Sequence, residues 1–202
     1  MVTKETENLY NDYLSQSDSR WEYGNSILYR MCKEEPKHKE IDVIVGKVWL
    51  IGRSYAAAIE RRKNAVDDND DFYYDVVAPK MLEIGSELDD RITRLQESTG
   101  HIVDDVEEIL STHKFLTDTF GKMTGLKKRS LASKYLHFHC PEKFFIYDSR
   151  AIKSIGKLVK RPDKKFLVNV SDYDQEYGDF VCRMLELQEY LYVKLGTYDM
   201  SL

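Results

Sequence analysis

The chain has 202 residues, of which 42% are hydrophobic and 12% aromatic, and its formal net charge is −5. This length and composition suffice for one folded domain, and three cysteines without CxxC spacing argue against a disulfide framework or a zinc ribbon. No run of about 18 apolar residues is present, so we expect a cytoplasmic protein that does not enter a membrane.

Apolar side chains recur at helical spacing along most of the chain, which contains only 4 Pro and 10 Gly. We therefore predict an all-α fold, a compact bundle of about seven helices that forms one domain over 1–202. A finer subdivision has two lobes, 1–100 plus 172–202 and 101–171. The predicted helices span 19–33, 40–62, 72–96, 102–120, 130–139, 149–159 and 173–194.

The second predicted helix is apolar on most sides of its first half and then carries Arg53. An unpaired arginine is costly to bury, so Arg53 needs either an internal carboxylate or a bound anion such as phosphate. Three alanines at 56–58 favour continuation of this helix. One interpretation is an enzyme for a small anionic ligand that Arg53 and Arg150 hold.

Charge is distributed unevenly along the chain. Residues 122–165 contain thirteen Lys and Arg against three acidic residues, a net charge of +10, whereas the remainder carries 17 against 32, a net charge of −15. Such asymmetry indicates either a basic face for a polyanion or a basic segment that docks on acidic neighbours in the fold. The sequence leaves both readings open.

The stretch from Ser130 to Ala151 is the densest in chemically useful side chains. Pro141 ends one predicted helix, and Asp148 stands at the start of the next, where its carboxylate can cap backbone N–H groups. That capping role alone accounts for an aspartate at this position. His137 and His139 are separated by about 200° around a helix, so they do not converge on a metal ion, and we expect no metal and no cofactor.

The order of these features resembles the helix-hairpin-helix DNA glycosylases over the stretch from Met123 to Arg150. Residues 123–132, Met-Thr-Gly-Leu-Lys-Lys-Arg-Ser-Leu-Ala, stand where that family has its hairpin, and 145–150, Phe-Ile-Tyr-Asp-Ser-Arg, where it has its conserved aspartate. The hairpin is degenerate, because a lysine replaces its second glycine. Ser130 occupies the place of the lysine of lyase-competent members, and Lys134 follows one helical turn later.

This resemblance implies duplex DNA as the partner and hydrolytic release of a base, with the Asp148 carboxylate stabilising an oxocarbenium-like sugar. Expected contacts to the nucleic acid are Gly125, Lys127, Lys128, Arg129, Lys134 and Arg150. Expected walls of a pocket for a flipped base are Trp49, Arg53, Tyr55, Tyr135, His137 and Tyr147. The alternative is a non-catalytic helical binding or regulatory protein whose basic face contacts a protein or a nucleic acid.

Overall fold

The computed structural model describes residues 8, 21–61 and 71–195. This part of the chain contains helices and no strands, which confirms the all-α prediction. The α-helices are α1 (Glu22–Glu34), α2 (Ile41–Ser54), α3 (Ala78–Glu83), α4 (Gly85–Glu97), α5 (Val106–Thr124), α6 (Arg129–His139), α7 (Ser149–Leu158) and α8 (Gln175–Leu195). A π-helix, Tyr73–Val77, runs into α3, and a 3₁₀-helix, Lys164–Leu167, precedes α8. None of the described helices combines the length and apolarity that a membrane crossing requires.

The second helix ends well before residue 62, where the alanine run led us to place its end. Ala56 has a positive φ of 51°, and the chain turns back so that a Cβ on Gly52 would lie 3.4 Å from the Cα of Ala58. The Lys128 ammonium donates to backbone carbonyls of this turn, including that of Ala58 at 3.1 Å. Contacts distant in sequence therefore outweigh the helix propensity of the alanines.

The predicted helix over 72–96 is divided into three pieces, and the second break falls at Gly85. A Cβ on Gly85 would lie 2.6 Å from the carbonyl oxygen of His38, so only glycine lets α4 begin against the loop between α1 and α2. Gly121 lies inside α5. Gly125 ends α5 in the left-handed conformation, with φ 67°.

Two clusters of buried apolar side chains hold the fold together. The first, which we call the N-terminal core, is built by α1 to α6 with the π-helix. The second, the C-terminal core, is built by the start of α5, by α7, by the 3₁₀-helix and by α8. The described part of 172–202 packs with α7 in the C-terminal core.

Helix α6 is buried along almost its whole length and lies at the centre of the N-terminal core, packed against α1, α2 and α5. A buried polar chain attaches it to the loop before α2 and to α4. The Tyr135 hydroxyl lies 2.7 Å from Nε2 of His38, and Nδ1 of His38 lies 2.6 Å from Oδ1 of Asp89. Because each of these groups is buried, their pairing fixes the orientation of α6.

Candidate functional site

Asp148 caps the N-terminus of α7. One carboxylate oxygen accepts hydrogen bonds from the backbone N–H groups of Arg150 and Ala151, at 2.9 and 2.8 Å. Both bonds end on Oδ1, so the cap does not use Oδ2, and the side chain is partly exposed. The expected capping role is therefore present, and it holds a carboxylate in a defined position at a helix end.

A buried ammonium lies within electrostatic range of this carboxylate. Lys134, on α6, is only 2% exposed, and its Nζ donates to the hydroxyl of Ser130 at 2.7 Å and lies 5.7 Å from the centre of the Tyr55 ring. Burial lowers the pKa of Lys134, and the charge of Asp148 opposes that shift. Burial also raises the pKa of Tyr55, and Asp148 adds to that increase. These four side chains form one cluster, which we call the acidic–basic pair site.

A groove of about 1550 Å³ lies between α1, the end of α4 with residues 98–103, the end of α6 with residues 140–146, and α8, and it reaches the start of α7 at Ala151. Asn25 lines it and accepts a hydrogen bond from the Tyr55 hydroxyl at 2.7 Å, and Ala151, whose N–H the Asp148 carboxylate binds, lines it too. Many of the further lining side chains are apolar or aromatic, among them Tyr29, Phe138, Phe144, Phe145 and Ile146, and charged side chains such as Glu22, Lys33 and Glu142 line it as well. A planar, mostly apolar ligand suits such a surface.

His137 lines the groove in a fixed tautomer. Its Nδ1 donates to the carbonyl of Phe144 at 2.7 Å, which leaves Nε2 to accept from the Tyr29 hydroxyl, also at 2.7 Å. Burial lowers the pKa of His137, so the ring is held neutral. Of the side chains proposed as pocket walls, Tyr55 and His137 are therefore the two that lie at the site and the groove.

The remaining proposed wall residues lie elsewhere or are engaged otherwise. Tyr135 has no exposed surface and belongs to the N-terminal core. Trp49 is 46% exposed on α2, and Arg53, whose side chain is 59% exposed and not buried as the apolar helix suggested, forms an ion pair with Glu60. Tyr147 is half-buried near the site, with its hydroxyl 3.3 Å from a carboxylate oxygen of Glu176.

The cations of the hairpin between α5 and α6 are mostly engaged inside the protein. Arg129 donates from Nε to Asp174 at 2.5 Å and forms a second ion pair with Glu176 at 3.1 Å. Lys128 donates to carbonyls of the turn after α2, and Lys127, whose side chain is 67% exposed, lies 3.9 Å from Asp174. This part of the basic segment docks on acidic neighbours, mainly those at the start of α8.

Arg150 behaves differently from the hairpin cations. It is exposed on α7, directly after the cap, and makes no ion pair within the described part of the chain. In the sequence, Arg150 and Arg129 both belong to the basic segment 122–165, and nothing there shows that one is paired and the other exposed. The difference arises because the acids that neutralise Arg129 come from α8, which is distant in sequence.

Several buried polar groups were not anticipated from the sequence. Lys47 has no exposed surface. His139 is also buried, at 5% exposure, and neither of its ring nitrogens has a hydrogen-bond partner in the described part of the chain. Burial lowers the pKa of both side chains. Within the described residues no group of three or more potential metal ligands converges.

Comparison with known proteins adds no relative to this picture: no family model, no curated protein and no solved structure matches the chain.

Proposed function

We propose that this protein binds duplex DNA and releases a base from it by hydrolysis of the N-glycosidic bond. The single observation that carries the proposal is the Asp148 carboxylate, held at the N-terminus of α7 within electrostatic range of the buried Lys134, with Ala151 of the same cap lining an aromatic groove. A carboxylate fixed in this way stabilises the positive charge that develops on a sugar as its base departs.

In the proposed reaction the bond between the sugar C1′ and the base nitrogen breaks, and its electron pair leaves with the base. The Asp148 carboxylate stabilises the oxocarbenium-like sugar and orients a water molecule towards C1′. Water supplies a hydroxyl to C1′ and a proton to the departing base, so the products are a free base and an abasic sugar. The groove gives the extruded base an aromatic surface on which to lie.

The environment of Lys134 supports hydrolysis rather than attack by an amine. Its ammonium is 2% exposed and donates to Ser130, which is the residue at the position of the family's lyase lysine. An amine held in this way is not free to attack the sugar C1′. We therefore propose a monofunctional enzyme, in which no covalent intermediate forms between the protein and the DNA.

The test compares base release by the wild type and by Asp148→Asn across duplexes that contain mismatched or modified bases. Asparagine caps a helix about as well as aspartate, so α7 is expected to remain folded. We expect the rate of release to fall on the order of a hundredfold or more, with duplex binding retained, because the stabilising charge is gone.

The chain offers a matched control for this substitution. Asp163 also accepts a backbone N–H at a helix start, that of Lys165 at 3.0 Å, and its side chain is about half exposed. Asp163→Asn removes one equivalent charge away from the site and is expected to release base at the wild-type rate. Absence of release from every duplex, or equal release by both variants, contradicts the proposal.

A further inference from the structure

One face of α7 consists of basic side chains. They are exposed, whereas most hairpin cations are paired inside the protein. Arg150, Lys153 and Lys157 recur at helical spacing and are all exposed, and Lys160 and Arg161 continue the series just after the helix. We call these five residues the α7 basic face. Between residues 149 and 162 the sequence contains no acidic residue, so the face carries a net charge of +5.

The packing of α7 directs this face to solvent. Ile155 is 3% exposed in the C-terminal core, and Ala151 and Leu158, one helical turn away on either side, pack against the same core. The apolar stripe of the helix is thus used for folding. The opposite side, with Arg150, Lys153 and Lys157, has no packing role.

About half of the cations in 122–165 are paired within the fold, and most of the others lie on the α7 basic face. Seven of the thirteen form hydrogen bonds or ion pairs within the protein, and they are Lys127, Lys128, Arg129, Lys134, Lys143, Lys164 and Lys165. The other six are exposed, and five of them form the α7 basic face. The positive excess of the segment is therefore concentrated on the helix that Asp148 caps.

We propose that the α7 basic face binds the backbone phosphates of the DNA duplex whose sugar meets Asp148, in place of the hairpin cations. This inference rests on the proposed function and names the surface that holds its substrate. From Arg150 to Lys157 the helix rises about 10 Å, a length of duplex that carries about six phosphates. Phosphate binding along α7 delivers the strand to the carboxylate at the end of the same helix.

The composition of the face favours a nucleic-acid backbone over an anionic membrane. Helices that lie on a membrane bury an apolar face among the lipids, and the apolar stripe of α7 is already buried in the C-terminal core. Ile152, at 36% exposure, is the one large apolar side chain exposed on α7. Cations with little apolar surface between them suit the hydrated phosphates of a duplex.

The test is the salt dependence of duplex binding, measured by fluorescence anisotropy. The variant Lys153→Gln with Lys157→Gln removes two charges from the face. The control, Lys39→Gln with Lys122→Gln, removes two exposed charges elsewhere, so the net charge of the two proteins is equal. We expect the α7 variant to bind on the order of tenfold to a hundredfold more weakly at about 0.1 M salt, with the salt slope reduced by about two. The control is expected to bind as the wild type does.

The outcomes separate this inference from the proposed function. Equal affinity and equal slope for the α7 variant and the control overturn the inference, even where base release is observed. The expected loss of binding without base release from any duplex supports the α7 basic face and contradicts the glycosylase activity. No binding of the wild type to duplex at low salt, or stronger binding to vesicles rich in anionic lipid than to duplex, also overturns the inference. Circular dichroism of each variant shows that the helices are retained.

Discussion

Replacement of His113 tests how the junction between the two cores responds to acid. His113 lies on α5 with no exposed surface, and its ring stacks on that of Tyr177, from α8, with the centroids 3.5 Å apart. Its Nε2 donates to the carbonyl of Arg129 at 3.2 Å. Burial lowers the pKa of His113 from 6.5 to about 4, although the hydrogen bond to Arg129 and the charge of Asp174 act in the opposite direction.

The direction of the effect follows from the two pKa values. In the unfolded chain His113 takes up a proton near pH 6.5, whereas in the folded protein it does so only near pH 4. Burial of the neutral His113 ring therefore contributes its full stability to the fold above pH 6.5, and this contribution is lost as the pH falls from 6.5 to 4. A shift of this size corresponds to about 3 kcal/mol of the free energy of unfolding.

The assay is urea denaturation of the wild type and of His113→Gln between about pH 7 and about pH 4. The glutamine amide can still donate to the Arg129 carbonyl, but it does not titrate. Loss of stacking lowers the stability of the variant by the same amount at every pH. The free energy of unfolding of the wild type should therefore fall by about 3 kcal/mol relative to that of the variant as the pH falls. A difference that stays constant across this range would refute the neutral, buried state assigned to His113.

Three further substitutions are informative: Gly85→Ala and Tyr135→Phe test the packing around His38, and Gly46→Ala serves as a contrast on α2. Gly85→Ala places a methyl group 2.6 Å from the His38 carbonyl oxygen and should lower the free energy of unfolding by about 1–3 kcal/mol. Gly46→Ala, on α2 with no atom within 4 Å of the new group, should instead raise it by about 0.5–1 kcal/mol. Tyr135→Phe leaves Nε2 of His38 without a partner and should cost about 1–3 kcal/mol, measured by denaturation. If Gly85→Ala or Tyr135→Phe is as stable as the wild type, the contact with His38 that the substitution alters is contradicted.

Local sequence patterns predicted most of the helices because those patterns are direct physical causes. Apolar spacing specifies the buried side of α1, α5, α7 and α8, and the Asp-Ser-Arg-Ala order specifies a capped helix start at Asp148. These terms act between residues a few positions apart. A single sequence is enough to read them.

What the sequence did not predict depends on contacts between distant residues. The end of α2 is set by a positive φ at Ala56 and by carbonyls that Lys128 binds, so the local propensity of the alanines gave the wrong end. Charge counting could not divide the basic segment, because Asp174 and Glu176 return beside Arg129 only when α8 packs on the fold. Aromatic content likewise did not separate Tyr135, in the core, from Tyr55, at the site.

The arrangement of the candidate site depends on how the two cores are joined. Lys134 and Tyr55 belong to elements of the N-terminal core, whereas Asp148 is carried by α7 of the C-terminal core. The buried Ser133 connects them, because its hydroxyl oxygen accepts the backbone N–H of Tyr147 at 2.9 Å, directly before Asp148. This hydrogen bond ties α6, which carries Lys134, to the residue directly before Asp148. A loosened junction should weaken the proposed base release before it weakens the helices, since each core retains its own buried apolar contacts.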